Sequence, residues 1–447
     1  MKHRLLLLLI VSLNWVISCA TETPGIDPPD DTFFYPSGIL YHEDTGTLFV
    51  TNGNSDLKYN GSTILALDMD MILSAVKEPL SHDNCLEDSE NPGEFLCSIT
   101  DDMVRHAVRL GSYAGDMVLF PHPDAGGENL FRLMVAVRGD PSLTWLDVKG
   151  SGGAVTCMDC GEGCTGSYPN DCNGSHRITT GEGLLSDPFR LLSFSRTHGV
   201  NGIYNFIIAT HLSEGGVTMV DVTADPIFVS HILVDQFTPA NAGSGTFESV
   251  MATADASDLY ISNAVAPEIQ RFNIRYSADN LTYVLVPDGF YFFQAPFGPM
   301  EIGAEIRGMA FSEDKSRLYA AVRTPPMLYA LDTYPDEQGR PSLDLLSYTE
   351  LPAKPSIVKT YSGFGDRELV FVVSYPEGEL VIIDALYGNI IQRVSVGAGP
   401  HDFLIVDSEQ FRGIITLNFG ESTIGFIAFD GTTFRRVGRL GEPTSIN

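Results

Sequence analysis

A three-part unit recurs along this chain and closes in much the same way each time. An apolar run leads to a second that ends on a polar residue, and then to a third that ends on Asp or Asn. In the last copy the runs are Pro400–Val406, Ile414–Asn418 and Ile424–Asp430; in the copy before it they are Pro355–Lys359, Leu369–Ser374 and Leu380–Asp384. Seven copies can be laid out, with first runs starting at residues 36, 115, 188, 247, 307, 355 and 400. The spacing falls from 79 residues to 45, so the late copies show the bare period and the early ones carry insertions. A repeat of this length constrains the fold more than any other feature, because each unit can bury its apolar surface only against its neighbours.

The runs are four to eight residues long, rich in Val, Ile, Leu, Phe and Tyr, and punctuated by Gly, Pro, Asn and Asp. That is the chemistry of strands. No long stretch shows a helical period. The pattern predicts an all-β protein, a seven-bladed β-propeller of four-stranded antiparallel blades, in which radial repetition protects the sheet edges. The fourth strand of each blade is the weakest in sequence, as in Ile391–Val396. Either Phe434–Leu440 completes the last blade or residues near Phe33–Tyr35 pair with it. The Asp endings of the third runs admit two readings, a ring of cation-binding carboxylates or turn-setting acceptors of backbone N–H groups; turn chemistry is the commoner use of Asp and Asn.

The stretch Val394-Ser395-Val396-Gly397-Ala398-Gly399-Pro400, followed by Ile414–Asn418 and Thr423–Asp430, resembles a YVTN-type repeat. The resemblance implies a seven-bladed propeller. That family includes surface-layer proteins, periplasmic binding proteins and lactonase-like enzymes, so the resemblance leaves the activity open.

The N-terminus reads as an export signal. Lys2, His3 and Arg4 precede the apolar run Leu5–Val11, which is too short to span a bilayer. Val16-Ile17-Ser18-Cys19 resembles a bacterial lipobox, which implies removal of residues 1–18 and acylation of Cys19. Residues 19–32, with Pro24, Pro28 and Pro29, read as a flexible tether, and residues 33–447 as the propeller. The expected place is the extracytoplasmic side of a bacterial membrane, with Ala20 after Cys19 favouring the outer one. The formal charge is −30, and −32 once Lys2 and Arg4 are lost. Such acidity excludes nucleic acid as a partner and disfavours anionic lipid surfaces. The chain is read as a monomer whose partners are the membrane, through its lipid, and a protein or small anionic ligand.

Apart from Cys19, six cysteines remain, an even number in an exported chain, which points to disulfides. Cys85 and Cys97 bracket an insertion near residues 80–100 and are expected to pair. Cys157, Cys160, Cys164 and Cys172 crowd a Gly-rich insertion near 150–176, with three connectivities open. The C-x-x-C of Cys157 and Cys160 lacks the following His of a haem attachment site. The uneven spacing favours disulfides over a zinc or iron–sulfur site, so no metal and no cofactor is assigned.

In a propeller, second-strand ends and first-strand starts meet on one face around the axis. The second runs end in Asn52, Arg138, His211, Asn263, Arg323, Ser374 and Asn418; first runs begin near Asp116, Arg190, Glu248, Arg307, Lys354 and His401. This maps a cationic funnel of Arg138, Arg190, His211, Arg307, Arg323 and His401, suited to gripping an anionic group. The other reading makes these side chains structural partners of Asp116, Glu248, Asp140 and Asp402. Three functions follow in order: a lipid-anchored binding scaffold, a lactonase-like hydrolase or isomerase, and a metal or redox accessory protein. For the hydrolase, which the resemblance suggests, Glu248 or His211 would be the base and Arg307 and Arg323 would stabilise negative charge. The G-x-S-x-G nucleophile pattern is absent from the sequence.

Overall fold

The computed structural model describes residues 25–443 apart from short stretches, of which 234–244, 252–256, 300–304 and 336–340 are the longest. The segment expected to be an export signal and Cys19 lie outside the described residues. The protein is a seven-bladed β-propeller of four-stranded antiparallel blades. The innermost strands of blades 1 to 7 are Pro36–His42, Ala114–Gly126, Pro188–Thr197, Thr246–Met251, Ile306–Phe311, Pro355–Tyr361 and Pro400–Asp407.

Blades pack face to face, and seven apolar cores fill the seven interfaces between neighbours. The middle strands are therefore buried on both faces and carry continuous apolar runs. Leu369–Ser374 is buried at every position, whereas the outer strand Leu345–Glu350 is exposed at five of six. This is why fourth strands are faint in sequence. One of the cores joins Ile39 and Val50 of blade 1 to Leu417, Ile424 and Leu440 of blade 7, and so closes the ring.

Closure uses no strand exchange. Phe434–Gly441 forms the fourth strand of blade 7. Phe33 is buried in the core between blades 1 and 7, and the Tyr35 amide donates to Ser422 Oγ at 3.2 Å. The outer edge of blade 7 is covered by the first insertion of blade 1. There Cys85–Glu87 and Phe95–Cys97 form a hairpin, joined by the Cys85–Cys97 disulfide, whose second strand pairs parallel with Arg439–Leu440. Arg439 bridges Asp88 and Glu421, and Arg436 bridges Glu94, across the same seam. The insertion also holds a helix, Met69–Lys77, begun by Asp68, whose Oδ1 accepts from the amides of Asp70 and Met71 at 2.9 and 3.1 Å. Its Met69, Ile72, Leu73 and Val76 are buried under the hairpin and blade 7. The helix is silent in sequence, because nine residues span too few turns to show a period.

The remaining disulfides are Cys157–Cys164 and Cys160–Cys172, one of the three connectivities left open. The Asp endings mostly serve turns: Asp221, Asp332, Asp384 and Asp430 accept from backbone amides two or three residues ahead. Asp147 instead pairs with Arg132. Residues 25–32, expected as part of the tether, lie against the fold. Asp27 meets Arg109 and Asn60, and Tyr168 donates to the Pro28 carbonyl at 2.6 Å.

All seven innermost strands break register close to their first residue. A bulge there re-aims side chains and lets successive residues face the axis. It also brings neighbouring innermost strands close together. A Cβ on Gly308 would lie 2.3 Å from the Ser356 carbonyl oxygen, and one on Gly38 would lie 2.2 Å from that of Gly115.

Candidate functional site: the mouth and septum of the axis

Below the mouth, five charged side chains from five blades meet on the axis. Asp116 comes from blade 2, Arg190 from blade 3, Glu248 from blade 4, Lys359 from blade 6 and Asp402 from blade 7. Arg190 reaches across the axis, and its Nη1 donates to Asp402 Oδ2 at 2.7 Å. Its Nε stands 3.6 Å from Asp116 Oδ2 and 3.7 Å from Glu248 Oε2, and is buried without a hydrogen-bond partner. Lys359 Nζ donates to Asp402 Oδ1 at 3.1 Å.

Burial acts unequally on the three acids. Asp402 holds both cations and stays well below the ordinary carboxylate range despite its burial. Glu248 is pushed up to about 7, first by burial and against the pull of Arg190, with Asp116 and Asp402 adding to the rise. Asp116 is raised for the same leading reason. Arg190 thus forms a charged septum between two chambers, and it lines both.

The upper chamber, about 120 Å³, lies where first strands begin and second strands end. Asp116, Arg138, Phe189, Arg190, His401 and Phe419 line it. The His401 ring stands 6.3 Å from Phe189 and 5.6 Å from Phe419, and has no hydrogen-bonding partner among the described residues. Burial pushes it down to about 4, and the positive charges of Arg190, Arg138 and Arg307 act in the same direction. His401 is therefore a neutral imidazole at neutral pH.

Three further arginines surround this mouth. Arg138 Nε meets Asp187 at 2.5 Å, with its guanidinium 5.7 Å from the Phe189 ring centroid. Arg307 lies over Phe247 at 3.3 Å and meets Glu305 at 2.8 Å. Arg323 shares that same Glu305 at 3.2 Å. Within this set three guanidiniums face two carboxylates, one positive charge in excess. Burial, with Arg323 beside it, pulls Arg307 down to about 10, so an incoming anion would relieve it.

The kinship with solved structures is one of fold. A Bacteroides fragilis protein bearing the provisional name 6-phosphogluconolactonase aligns at a TM-score of 0.54 and 13% identity, over 90% of this chain and 99% of its own. A Lactobacillus plantarum protein aligns at 0.51 and 13% identity, over 76% and 89%. No family model and no curated protein matches the chain.

Of the residues expected in the funnel, Arg138, Arg190 and His401 line the upper chamber together, while Arg307 stands beside it over Phe247, whose ring is 5.4 Å from that of Phe189, and Arg323 is joined to Arg307 through Glu305. Each of these arginines has an acidic partner, and only Arg190 meets those expected as partners, Asp402 directly and Asp116 and Glu248 at longer range. His211 is elsewhere. It is fully buried, with Nδ1 2.9 Å from the Ser186 carbonyl and Nε2 2.9 Å from Thr218 Oγ1, and burial pushes it down to about 4. Asn52 and Asn418, at the same place in their blades, likewise reach Thr63 and Thr423 at 2.8 and 3.1 Å. In these three blades the second-strand ending is thus a structural post to the third strand; in blades 2 and 5 the matching residues are Val137 and Val322, and Arg138 and Arg323 stand one residue beyond them. Glu248 is on the lower side of the septum, not in the mouth. Lys359, rather than Lys354, is the blade 6 cation on the axis. Asp140 pairs with Arg177 at 2.6 Å and takes no part. No group of His, Cys, Asp and Glu suited to a metal ion occurs among the described residues.

Proposed function

We propose that this protein is an exported, lipid-anchored propeller that binds a small anionic ligand at the arginine-lined mouth of its axis. The observation that carries the reading is the chamber lined by Arg138, Arg190 and the His401 ring, with Arg307 over the adjoining Phe247, on a chain whose overall charge is strongly negative. Phe189, Phe247 and Phe419 would flank the ligand, and the arginines would take its carboxylate or phosphate. The three disulfides fit an oxidising, extracytoplasmic compartment. The anchor rests on Cys19 and the apolar run before it; no helix among the described residues is long and apolar enough to cross a membrane.

The test is calorimetric titration with gluconate, 6-phosphogluconate and citrate. Losing one charge-assisted grip costs about 1.5–3 kcal/mol, so Arg307→Ala should weaken the best of these ligands roughly 10- to 100-fold. Unchanged affinity in Arg307→Ala and in Arg138→Ala would sink the reading.

Turnover of a lactone is the second reading, favoured by the free imidazole of His401 beside guanidiniums able to hold a developing oxyanion. The provisional name of the Bacteroides fragilis propeller points the same way. His401 would then be the base in place of His211, whose nitrogens are both engaged, and of Glu248, which faces the lower chamber. Hydrolysis of a lactone panel followed in a pH-stat, with loss in His401→Ala, tests it; no turnover above background by the wild type removes it.

A further inference from the structure

A second chamber, about 480 Å³, opens toward the other ends of the innermost strands, beneath the septum. Its walls are mostly apolar: Val250, Met309, Ile357, Leu404, Ile405 and the ring of Tyr361. Glu248, Arg190 and Lys359 lie at its charged end. We propose that this lower chamber binds a small apolar cation, an alkyl- or arylammonium, with its ammonium on Glu248 and its tail against the apolar walls.

Charge balance is the first argument. The septum holds three acids and two bases, one positive charge short. Asp402 takes the direct hydrogen bonds of both Arg190 Nη1 and Lys359 Nζ. Among the described residues Glu248 receives only the Ser249 amide, on Oε1 at 3.1 Å, while Oε2 stays 3.7 Å from Arg190 Nε. A carboxylate only 9% exposed and short of partners is costly unless a counter-charge arrives. Access is the second argument. Asp116 lines the upper chamber and Glu248 the lower one, so the underpaired acid faces the apolar walls. The chain's formal charge of −30 adds a field that gathers cations. The two ends of the axis would thus select opposite charges.

Ligand binding must be linked to the proton on Glu248. The charged groups facing it are Arg190 from blade 3, Asp116 from blade 2, Asp402 from blade 7 and, across the chamber, Lys359 from blade 6. Blade 5 presents Met309 and Ala310 there, blade 4 adds Val250, and blade 1 has no charged side chain between Pro36 and Tyr41. An ammonium ligand needs the ionised acid, so affinity should rise with pH through the neutral range.

The experiment is calorimetric titration of the intact protein with hexylammonium chloride, beside hexanoate and hexanol as matched tails. Hexylammonium should bind at pH 8 and hexanoate should not. With Glu248 titrating at about 7, binding at pH 5.5 should be roughly 30-fold weaker. Glu248→Gln should lose the amine, and Arg307→Ala, at the other mouth, should leave it unchanged. Val250→Trp fills the chamber and keeps the acid, and it should lose the amine as well. Preference for hexanoate or hexanol, or amine affinity retained in both Glu248→Gln and Val250→Trp, overturns the proposal. Failure of anion binding at the upper mouth would leave it standing.

Discussion

Glu248→Gln should make the protein more stable above neutral pH and change it little in acid. The carboxyl is raised on folding from its ordinary 4.5 to about 7, chiefly by burial. Between those values the native state keeps a proton that the unfolded chain has lost, so stability falls as pH rises through that window. Below it both states are protonated and the cost is absent; above about 7 it is complete. A rise of that size corresponds to ~3 kcal/mol of lost stability at pH 8. Glutamine keeps the shape and removes the titration. Urea unfolding of wild type and Glu248→Gln at about pH 5 and pH 8 would measure it. The variant should gain up to ~3 kcal/mol at the higher pH and under ~1 kcal/mol at the lower. A variant less stable than wild type at pH 8 would refute the reasoning, because it would show Glu248 ionised and well paired by Arg190.

Arg190→Met should be costly, since it strands Asp402 and Asp116 in the septum. Breaking a buried pair by removing one partner costs about 3–5 kcal/mol, and Arg190→Met with Asp402→Leu should recover most of it, both read by urea unfolding. Losing the Cys85–Cys97 bond in a Cys85→Ser/Cys97→Ser variant should cost about 3 kcal/mol by loop entropy for a separation of 12 residues. Hydrogen exchange should then quicken first in Phe434–Gly441, the strand the hairpin covers; uniform change around the ring would count against a local clasp. Cys19→Ser should release the protein from membranes, and unchanged sedimentation with them would remove the anchor.

The blades were legible because their two middle strands bury both faces, which forces continuous apolar runs such as Leu369–Ser374. Outer strands such as Leu345–Glu350 have one free edge and exposed side chains, so their sequence is under little packing constraint. The hairpin over blade 7 was out of reach for a different reason. Pairing of Leu96 with Arg439 joins segments 343 residues apart, and neither carries a local signature of the other. The cysteine count announced disulfides, and the choice of Cys157–Cys164 over its alternatives needed the path of the loop.

The axis was legible in composition and not in orientation. First-strand starts are axial, as their place in the repeat implies, and Arg190, Glu248 and His401 line the two chambers there. What decides whether such a residue enters the mouth or the septum is the bulge at each strand entry, which has no fixed sequence. Phe189 and Arg190 are adjacent, yet Phe189 lines only the upper chamber while Arg190 lines both. Glu248, at the matching place one blade on, faces only the lower one. Second-strand ends mislead in the opposite direction, because Asn52, His211 and Asn418 there are tied to the third strand. His211 pairs with Pro188 at the start of its blade, whereas the matching partner of Ala114 is Val137, so Arg138 stands one residue past the post and that offset separates the two side chains. The posts of blades 2 and 5 are Val137 and Val322, which need no polar partner, and the arginine that follows each, Arg138 and Arg323, is free to turn toward an acidic neighbour instead of the third strand.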